Sequence, residues 1–429
     1  MQALLSFDQA PALSVPARFF LTAPYYGALV GGLLLWQGET IFISRWSPEV
    51  LALTHLLTIG LLLQIMMGAL FQVLPVLAGA NIYRPLFWAR LLHPVLNIGT
   101  LALAIGFWLS LPVWLALGGA LVLGAVLVFL ILTAIALWQI PNTNATLPAI
   151  KLALCGLFFT VLLGSFLLAV YAFGAKGQAS TLTAQHITFG LIAWSGLLLL
   201  GVAYVVVPMF QLTPGYSRIF SRLLAPSLAV LVIFWYGAQA SELTFMVNVI
   251  GTLIVLLLTG FAGQTLRLQQ LSKRPRVDAS FRFWQLGMLM LIVVLSAWFI
   301  QLWWPSIDLS FFVGIAALIG VLSSVTAGML YKILPFLAWM HMQNYGATLG
   351  IRRLPHMGSY LSDVWAWRHF WIHAAALGFS LAACLSPAVF SRVAGAFLLI
   401  AFILLGYNLL TAVRRFVHTR ERLVPLSVK

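Results

Sequence analysis

Five of the eight histidines lie within or beside long apolar stretches and have the greatest potential for chemistry in this sequence. They are His55, His93, His186, His369 and His373. Neutral imidazole is a frequent ligand of iron and copper, and two facing histidines can hold a haem from its two axial sides. The alternative for each histidine is a hydrogen bond to a backbone carbonyl or a hydroxyl group, with no ligand bound.

His55 and His186 are the predicted ligands of a haem b. His55 precedes Pro75 by 20 residues, and His186 precedes Pro208 by 22. Because both prolines belong to a repeated motif, we expect the two histidines at equivalent places on two helices. The other ring nitrogen of each should be held by a backbone carbonyl or a hydroxyl, with Thr54 or Gln185 nearby in the sequence.

His369 and His373 are four residues apart, which puts them on one face of a helix. His93 stands near the start of another predicted helix, at a similar expected depth in the membrane. These three histidines are the candidates for a second metal site, which would take a copper ion or a haem. The opposing interpretation is that they hydrogen-bond helix ends or a neighbouring loop.

The carboxylates and the cysteines argue against several functions. None of the eight carboxylates falls in the middle of an apolar stretch. A proton pump or a proton-coupled transporter usually keeps one there, so both functions are disfavoured. Cys155 and Cys384 each lie inside an apolar stretch and indicate no disulfide framework. No catalytic residue is assigned, and whether the chain is an enzyme stays open.

The composition requires lipid as the solvent for most of the chain. Of 429 residues, 62% are hydrophobic and 7% are charged, with a mean hydropathy of +1.05. Soluble proteins carry about 25% charged residues. Twelve apolar stretches predict about twelve transmembrane helices, from Ala17–Trp36 to Phe390–Phe416. The longest predicted loops are Arg267–Ser280 and His341–Val364.

The formal net charge of +15 follows from the distribution of basic residues between the two ends of these helices. Of the 23 Lys and Arg residues, all but Arg45, Lys176 and Arg392 fall on one side. The excess of basic residues on cytoplasmic loops then places both termini in the cytoplasm of a bacterial-type inner membrane. The bilayer is the expected partner of these charges, and nucleic acid is not.

A motif of the form G-x-x-aromatic-x-x-x-P occurs three times. The copies are Gly68–Pro75, Gly201–Pro208 and Gly328–Pro335, with prolines 133 and 127 residues apart. The alternative is a chance match among helices rich in glycine and proline. Because the spacing is close to one third of the chain, we predict three four-helix units about a pseudo-threefold axis. The units cover about 17–140, 147–266 and 281–416, within a single transmembrane domain, 1–429.

The motif regions resemble two families of membrane proteins. His55-Leu-Leu-Thr-Ile-Gly60 followed by Gly68-x6-Pro75 is similar to the second helix of the NnrS family, and Gly201-x6-Pro208 resembles a later helix of that family. The stretch 68–80 also resembles the second helix of the haem–copper oxidase catalytic subunit, which has twelve helices in three quasi-equivalent arcs. The resemblance implies a scaffold for haem, with copper as a further metal, and a role in respiratory or nitric oxide metabolism.

The sequence also departs from both families. The predicted seventh helix, Leu223–Gly237, has no histidine, and the membrane part of the tenth has none. The oxidase pattern implies histidines on both. Leu56 stands where NnrS proteins typically carry an acidic residue. A complete centre for reducing oxygen or nitric oxide is therefore not expected, and the resemblance does not identify a reaction.

Three functions are consistent with these observations. The first is a haem- or copper-binding inner-membrane protein that transfers electrons, senses a gas or assists assembly of a respiratory enzyme, with respiratory chain components as partners. The second is a transporter or channel for a small uncharged solute, with the histidines as solute contacts. The third is a non-catalytic membrane scaffold subunit. The visible spectrum of the purified protein would best distinguish them.

Overall fold

All regular secondary structure in the described part of the chain is helical. The computed structural model describes residues 9–138, 140–141, 144–174, 179–351 and 354–423. The long helices are α1 (Ser14–Phe42), α2 (Pro48–Ala78), α3 (Pro85–Trp108), α4 (Pro112–Leu137), α5 (Thr146–Phe173), α6 (Ala179–Gln211), α7 (Arg218–Ala240), α8 (Thr244–Gln270), α9 (Ala279–Trp303), α10 (Ser310–Thr348), α11 (Asp363–Ala383) and α12 (Pro387–Leu423).

Eleven of these helices are long and apolar enough to cross a membrane. The remaining one, α11, has 21 residues and is less apolar because it carries Asp363, Arg368 and the two candidate histidines. Backbone groups in lipid must be hydrogen-bonded within the chain, and a helix achieves this by itself. The predicted class, an all-α membrane protein with about twelve long helices, is confirmed.

Several helices extend beyond their predicted ends, and α10 and α12 extend furthest. α10 continues to Thr348, so His341 lies in this helix and the loop predicted to begin there is shorter. α12 continues to Leu423 and carries Arg420 and Arg422 in its last turn. The apolar stretch ends earlier than the helix in both cases, because hydropathy detects only the part of a helix that needs lipid.

Three π-helical segments of eight residues mark the sequence repeat in the backbone. They are Leu56–Leu63 in α2, Phe189–Gly196 in α6 and Ala316–Ser323 in α10. Their starting residues have the same separations as the three motif prolines. Since π-helix is rare and occurs mostly as single-turn bulges, three copies in this register are strong evidence for the repeat.

Each motif glycine brings its helix close to the first helix of its own predicted unit. An added Cβ atom would meet side chains of that helix at less than ordinary van der Waals distance in all three cases, so only glycine allows the approach. The neighbours are Phe19 and Phe20 of α1 for Gly68, Ala149 of α5 for Gly201, and Phe283 of α9 for Gly328.

The chain divides into two compact units. The first comprises Met1–Pro94, Val277–Trp284 and Ser323–Lys429, and the second comprises Val95–Arg276 and Gln285–Leu322. In the first unit, α1 and α12 meet backbone to backbone, because glycines stand at their contact on both helices. The predicted pseudo-threefold axis would relate helices of both units and stays a prediction.

An ion pair joins α10 to the start of α9 in the first unit. Lys332 Nζ lies 2.5 Å from Asp278 Oδ2, and both side chains are largely buried. Asp278 Oδ1 also accepts a hydrogen bond from the backbone N–H of Phe281 at 2.9 Å. Asp278 therefore both caps α9 and neutralises the lysine beside the third motif.

Lys332→Met is expected to lower the thermal unfolding temperature of the detergent-solubilised protein. The variant removes the lysine cation from the partly buried Asp278 carboxylate, at a cost of about 1–3 kcal/mol. The double variant Lys332→Met/Asp278→Asn should recover part of this loss, because asparagine is neutral and still accepts a hydrogen bond from Phe281. A double variant that is no more stable than the single one would contradict the assignment.

Candidate metal centre

The structure places four of the five candidate histidines in the first compact unit. His55 lies on α2, His93 on α3, and His369 and His373 on α11. His186 lies on α6, in the second unit. The haem site predicted at His55 and His186 stays a prediction.

His369 and His373 form a buried pair on one face of α11, as their spacing predicts. They are 0% and 1% exposed, and their ring centroids are 5.9 Å apart with 60° between the planes. Phe283 of α9 packs against both rings, at centroid distances of 5.0 Å and 5.4 Å. The pair is thus enclosed by aromatic side chains inside the protein.

Neither ring nitrogen of His369 has a hydrogen-bond partner among the residues that the structure describes. A neutral imidazole carries one N–H donor and one acceptor nitrogen, and leaving each unsatisfied in a buried site costs about 1–3 kcal/mol. Buried polar groups nearly always have a partner, so such an exception needs an explanation. A metal ion bound to the lone-pair nitrogen of His369 would satisfy one of the two groups.

His373 is held from the opposite helix by a serine. Its Nε2 atom lies 2.9 Å from Ser324 Oγ, and Ser324 is the first residue after the π-helical segment of α10. Hydrogen bonds of this kind fix the orientation of a histidine and its tautomer. Sequence reasoning missed Ser324, and its position directly after the third π-helical segment could not be read from composition.

A second hydrogen-bonded group lies beside the pair. The ring of Tyr331, the aromatic residue of the third motif, is 5.6 Å from that of His369. Asn408 of α12 donates from Nδ2 to the Tyr331 hydroxyl at 2.8 Å and to the carbonyl oxygen of Trp365 at 3.3 Å. The motif aromatic therefore belongs to the wall of the histidine site.

His93 has a similar environment near the first motif, Gly68–Pro75. Its Nε2 atom lies 2.9 Å from Thr22 Oγ1, and its ring meets Phe19 edge-on at 5.3 Å. Phe19 packs on the motif aromatic Phe71 at 5.8 Å. In the third group, Phe283 likewise contacts both Tyr331 and His369, although its ring is tilted by 35° to that of His369. The repeat thus twice places a histidine against a phenylalanine that also packs on the motif aromatic.

His55 and His186 share one feature of metal-binding histidines. Nδ1 of His55 lies 2.7 Å from the carbonyl oxygen of Leu51, and Nδ1 of His186 lies 2.9 Å from that of Thr160. A carbonyl only accepts, so Nδ1 carries the proton and Nε2 the lone pair. The prediction that a backbone carbonyl or hydroxyl holds each ring is confirmed, and the carbonyls are those of Leu51 and Thr160.

The equivalence of His55 and His186 is only approximate. His55 directly precedes the π-helical segment of α2, and Thr188 directly precedes that of α6. His186 is therefore two residues out of register, or about 200° around an α-helix. The repeat does not by itself turn the two rings toward a common point.

The described residues contain no group of three or more His, Cys, Asp or Glu side chains suited to holding a metal ion. The two histidines on α11 are the most deeply buried of the five candidates. Two imidazoles suit copper, for which nitrogen ligands are common, better than structural zinc, which is almost always four-coordinate.

Comparison of the sequence with protein-family models gave no match, and comparison with curated proteins gave none either.

Proposed function

We propose that this chain is a metal-binding protein of the bacterial inner membrane and that His369 and His373 hold a copper ion. The observation that carries this proposal is the fully buried His369 ring, whose nitrogens have no hydrogen-bond partner in the described part of the chain. His373, one turn away, supplies a second imidazole, and Ser324 orients it. A bound copper ion would supply one-electron transfer, or be cargo for a respiratory enzyme under assembly.

The geometry of the pair favours copper over haem at this place. Two histidines one turn apart on one helix approach a metal from the same side. The two axial ligands of a haem approach from opposite faces, so His369 and His373 together do not fit a bis-histidine haem. The pair fits a small ion in a site closed by Phe283 and Tyr331.

Haem b at His55 and His186 is the second candidate. It is favoured by the tautomer of both rings, because Nδ1–H is bonded to a carbonyl and the Nε2 lone pair is the one that ligates iron in this arrangement. Respiratory chain components would then be the expected partners.

Metal analysis and the visible spectrum of the purified protein test both candidates. The protein should be expressed with excess copper and haem and then extracted into detergent. Copper near one equivalent per chain supports the α11 site, and a Soret band with sharp reduced α and β bands supports haem. A colourless protein without copper or iron would contradict both candidates and favour the solute channel or the scaffold.

The orientation in the membrane is a further part of the proposal. Because nearly all Lys and Arg residues fall on one side, we expect both termini in the cytoplasm. Reporter fusions should read periplasm at Gly174 and cytoplasm at Lys429. If both fusions report the same side, the twelve-span topology is contradicted. If Gly174 reports cytoplasm and Lys429 reports periplasm, only the orientation is contradicted.

A further inference from the structure

Gln64 is a fully buried glutamine in the middle of α2 whose amide has no partner among the described residues. Its exposed fraction is 0%, and neither Nε2 nor Oε1 makes a hydrogen bond within that part of the chain. The amide offers two N–H donors and two acceptor lone pairs. Burying such a group unpaired costs about 1–3 kcal/mol for each donor or acceptor, so the protein gains stability from any molecule that satisfies it.

The repeat shows that Gln64 stands at a position built for polar contacts. It is the first residue after the π-helical segment of α2, and the equivalent residues are Leu197 in α6 and Ser324 in α10. Ser324 is also fully buried and uses its hydroxyl to hold His373. Two of the three positions are therefore polar and buried, and π-bulges are frequent at functional sites.

The packing around Gln64 limits the size of a ligand. Gly60 and Gly68 stand one turn before and one turn after it, and both are pressed against α1. A Cβ atom at Gly60 would overlap the ring of Tyr26, and one at Gly68 would lie 2.8 Å from Cβ of Phe19. Because α1 approaches this closely on both sides of Gln64, we expect only a molecule of a few heavy atoms beside the amide.

The charges of α1 and α2 limit the ligand to a neutral molecule. The charged residues of these two helices are Arg18, Glu39 and Glu49, and Glu39 and Glu49 lie several turns from Gln64. Arg18 is about one turn from this level, and its Nε donates to the carbonyl oxygen of Ser14 at 3.0 Å, toward the end of α1. An ion beside Gln64 would have no compensating charge on these helices in a low-dielectric interior. A small neutral ligand that both donates and accepts hydrogen bonds fits the amide.

We propose that Gln64 is the binding residue of an internal water site in the middle of the membrane. Gln72 extends the polar face of α2. It is eight residues further on, about 12 Å along the helix, and its Oε1 is also buried without a partner. Waters in proteins typically make about three hydrogen bonds to groups of this kind. A small uncharged solute would have to replace this water, so the site also bears on the solute-channel function.

X-ray radiolytic footprinting of the full-length protein in lipid nanodiscs tests the proposal. Hydroxyl radicals formed from water in place oxidise only side chains beside a water molecule. Met67 lies one turn from Gln64 and is fully buried, and Met288 of α9 is an equally buried reference. Met67 should be oxidised several-fold faster than Met288 in the wild-type protein, and Gln64→Leu should bring the two rates together.

The outcomes separate clearly. Equal oxidation of Met67 and Met288 in the wild-type protein overturns the water site without any variant. Rapid oxidation of Met67 that persists in Gln64→Leu places the water elsewhere and overturns the role of Gln64. Gln64→Asn is the matched control, because it keeps an amide at the position and should retain most of the Met67 oxidation. The result does not depend on copper or haem.

Discussion

Replacing His369 and His373 together with alanine is expected to abolish copper binding. The pair supplies both protein ligands of the proposed site, and the described residues offer no cluster of three or more ligating side chains to replace it. Copper content measured by mass spectrometry should fall from about one equivalent per chain to background. Removing a single residue that only supports a metal ligand commonly weakens a metal site by about 10- to 100-fold. Because the double variant removes the ligands themselves, the loss of copper should be complete.

Matched variants distinguish loss of ligands from loss of fold. Alanine leaves a cavity beside Phe283 and destabilises the protein, whereas His369→Gln/His373→Gln roughly keeps the volume and should also lose copper. The control is His356→Ala/His418→Ala, which removes two exposed histidines and should keep full copper content. Unchanged copper in both α11 variants would exclude this site even if the wild-type protein contains the metal.

The helical architecture could be predicted from the sequence because a segment that crosses lipid must be apolar over about 20 residues and must form a helix. Apolar stretches gave the twelve long helices, and the motif of Gly68–Pro75 and its two copies gave their repeat. The ends of α10 and α12 could not be predicted in the same way. Those segments leave the apolar region and continue as helix for reasons of packing and local backbone bonding, which hydropathy does not report.

The site was only partly predictable. The four-residue spacing of His369 and His373 sufficed to place them on one face of α11, since helix geometry is fixed. The contact of both with Phe283 joins residues more than 80 positions apart and depends on tertiary packing. Nothing in the sequence distinguishes Ser324 from other serines, because the π-helical segment that precedes it has no compositional signal.

The predicted pair His55 and His186 shows the limit of inferring side-chain positions from a sequence repeat. Spacing from the motif proline suggested that His55 and His186 are equivalent, and an offset of two residues looked small. On a helix, however, two residues turn a side chain to nearly the opposite face, and the π-helical registers make the offset explicit. Sequence spacing reports position along a helix well and direction around it poorly.

Gly328→Leu is expected to destabilise the protein and to release copper at the same time. A Cβ atom at Gly328 would lie 2.9 Å from Cβ of Phe283 and 3.1 Å from the carbonyl oxygen of Ser280. Overpacking of this kind typically costs about 1–3 kcal/mol and occasionally more. It would also strain the bond from Ser280 Oγ to the Gly328 carbonyl, which is 2.7 Å long.

The link to copper runs through Phe283, whose ring packs on both His369 and His373. Leucine at position 328 must push α9 away from α10, so Phe283 and the two imidazoles lose their common contact. Thermal unfolding and copper content should be measured on the same samples. Gly378→Leu is the control, because it makes the same substitution on α11 at a position with open space around it. The control should change neither the unfolding temperature nor the copper content. If Gly328→Leu is as stable and binds as much copper as this control, the close approach of α9 and α10 at the third motif does not support the copper site.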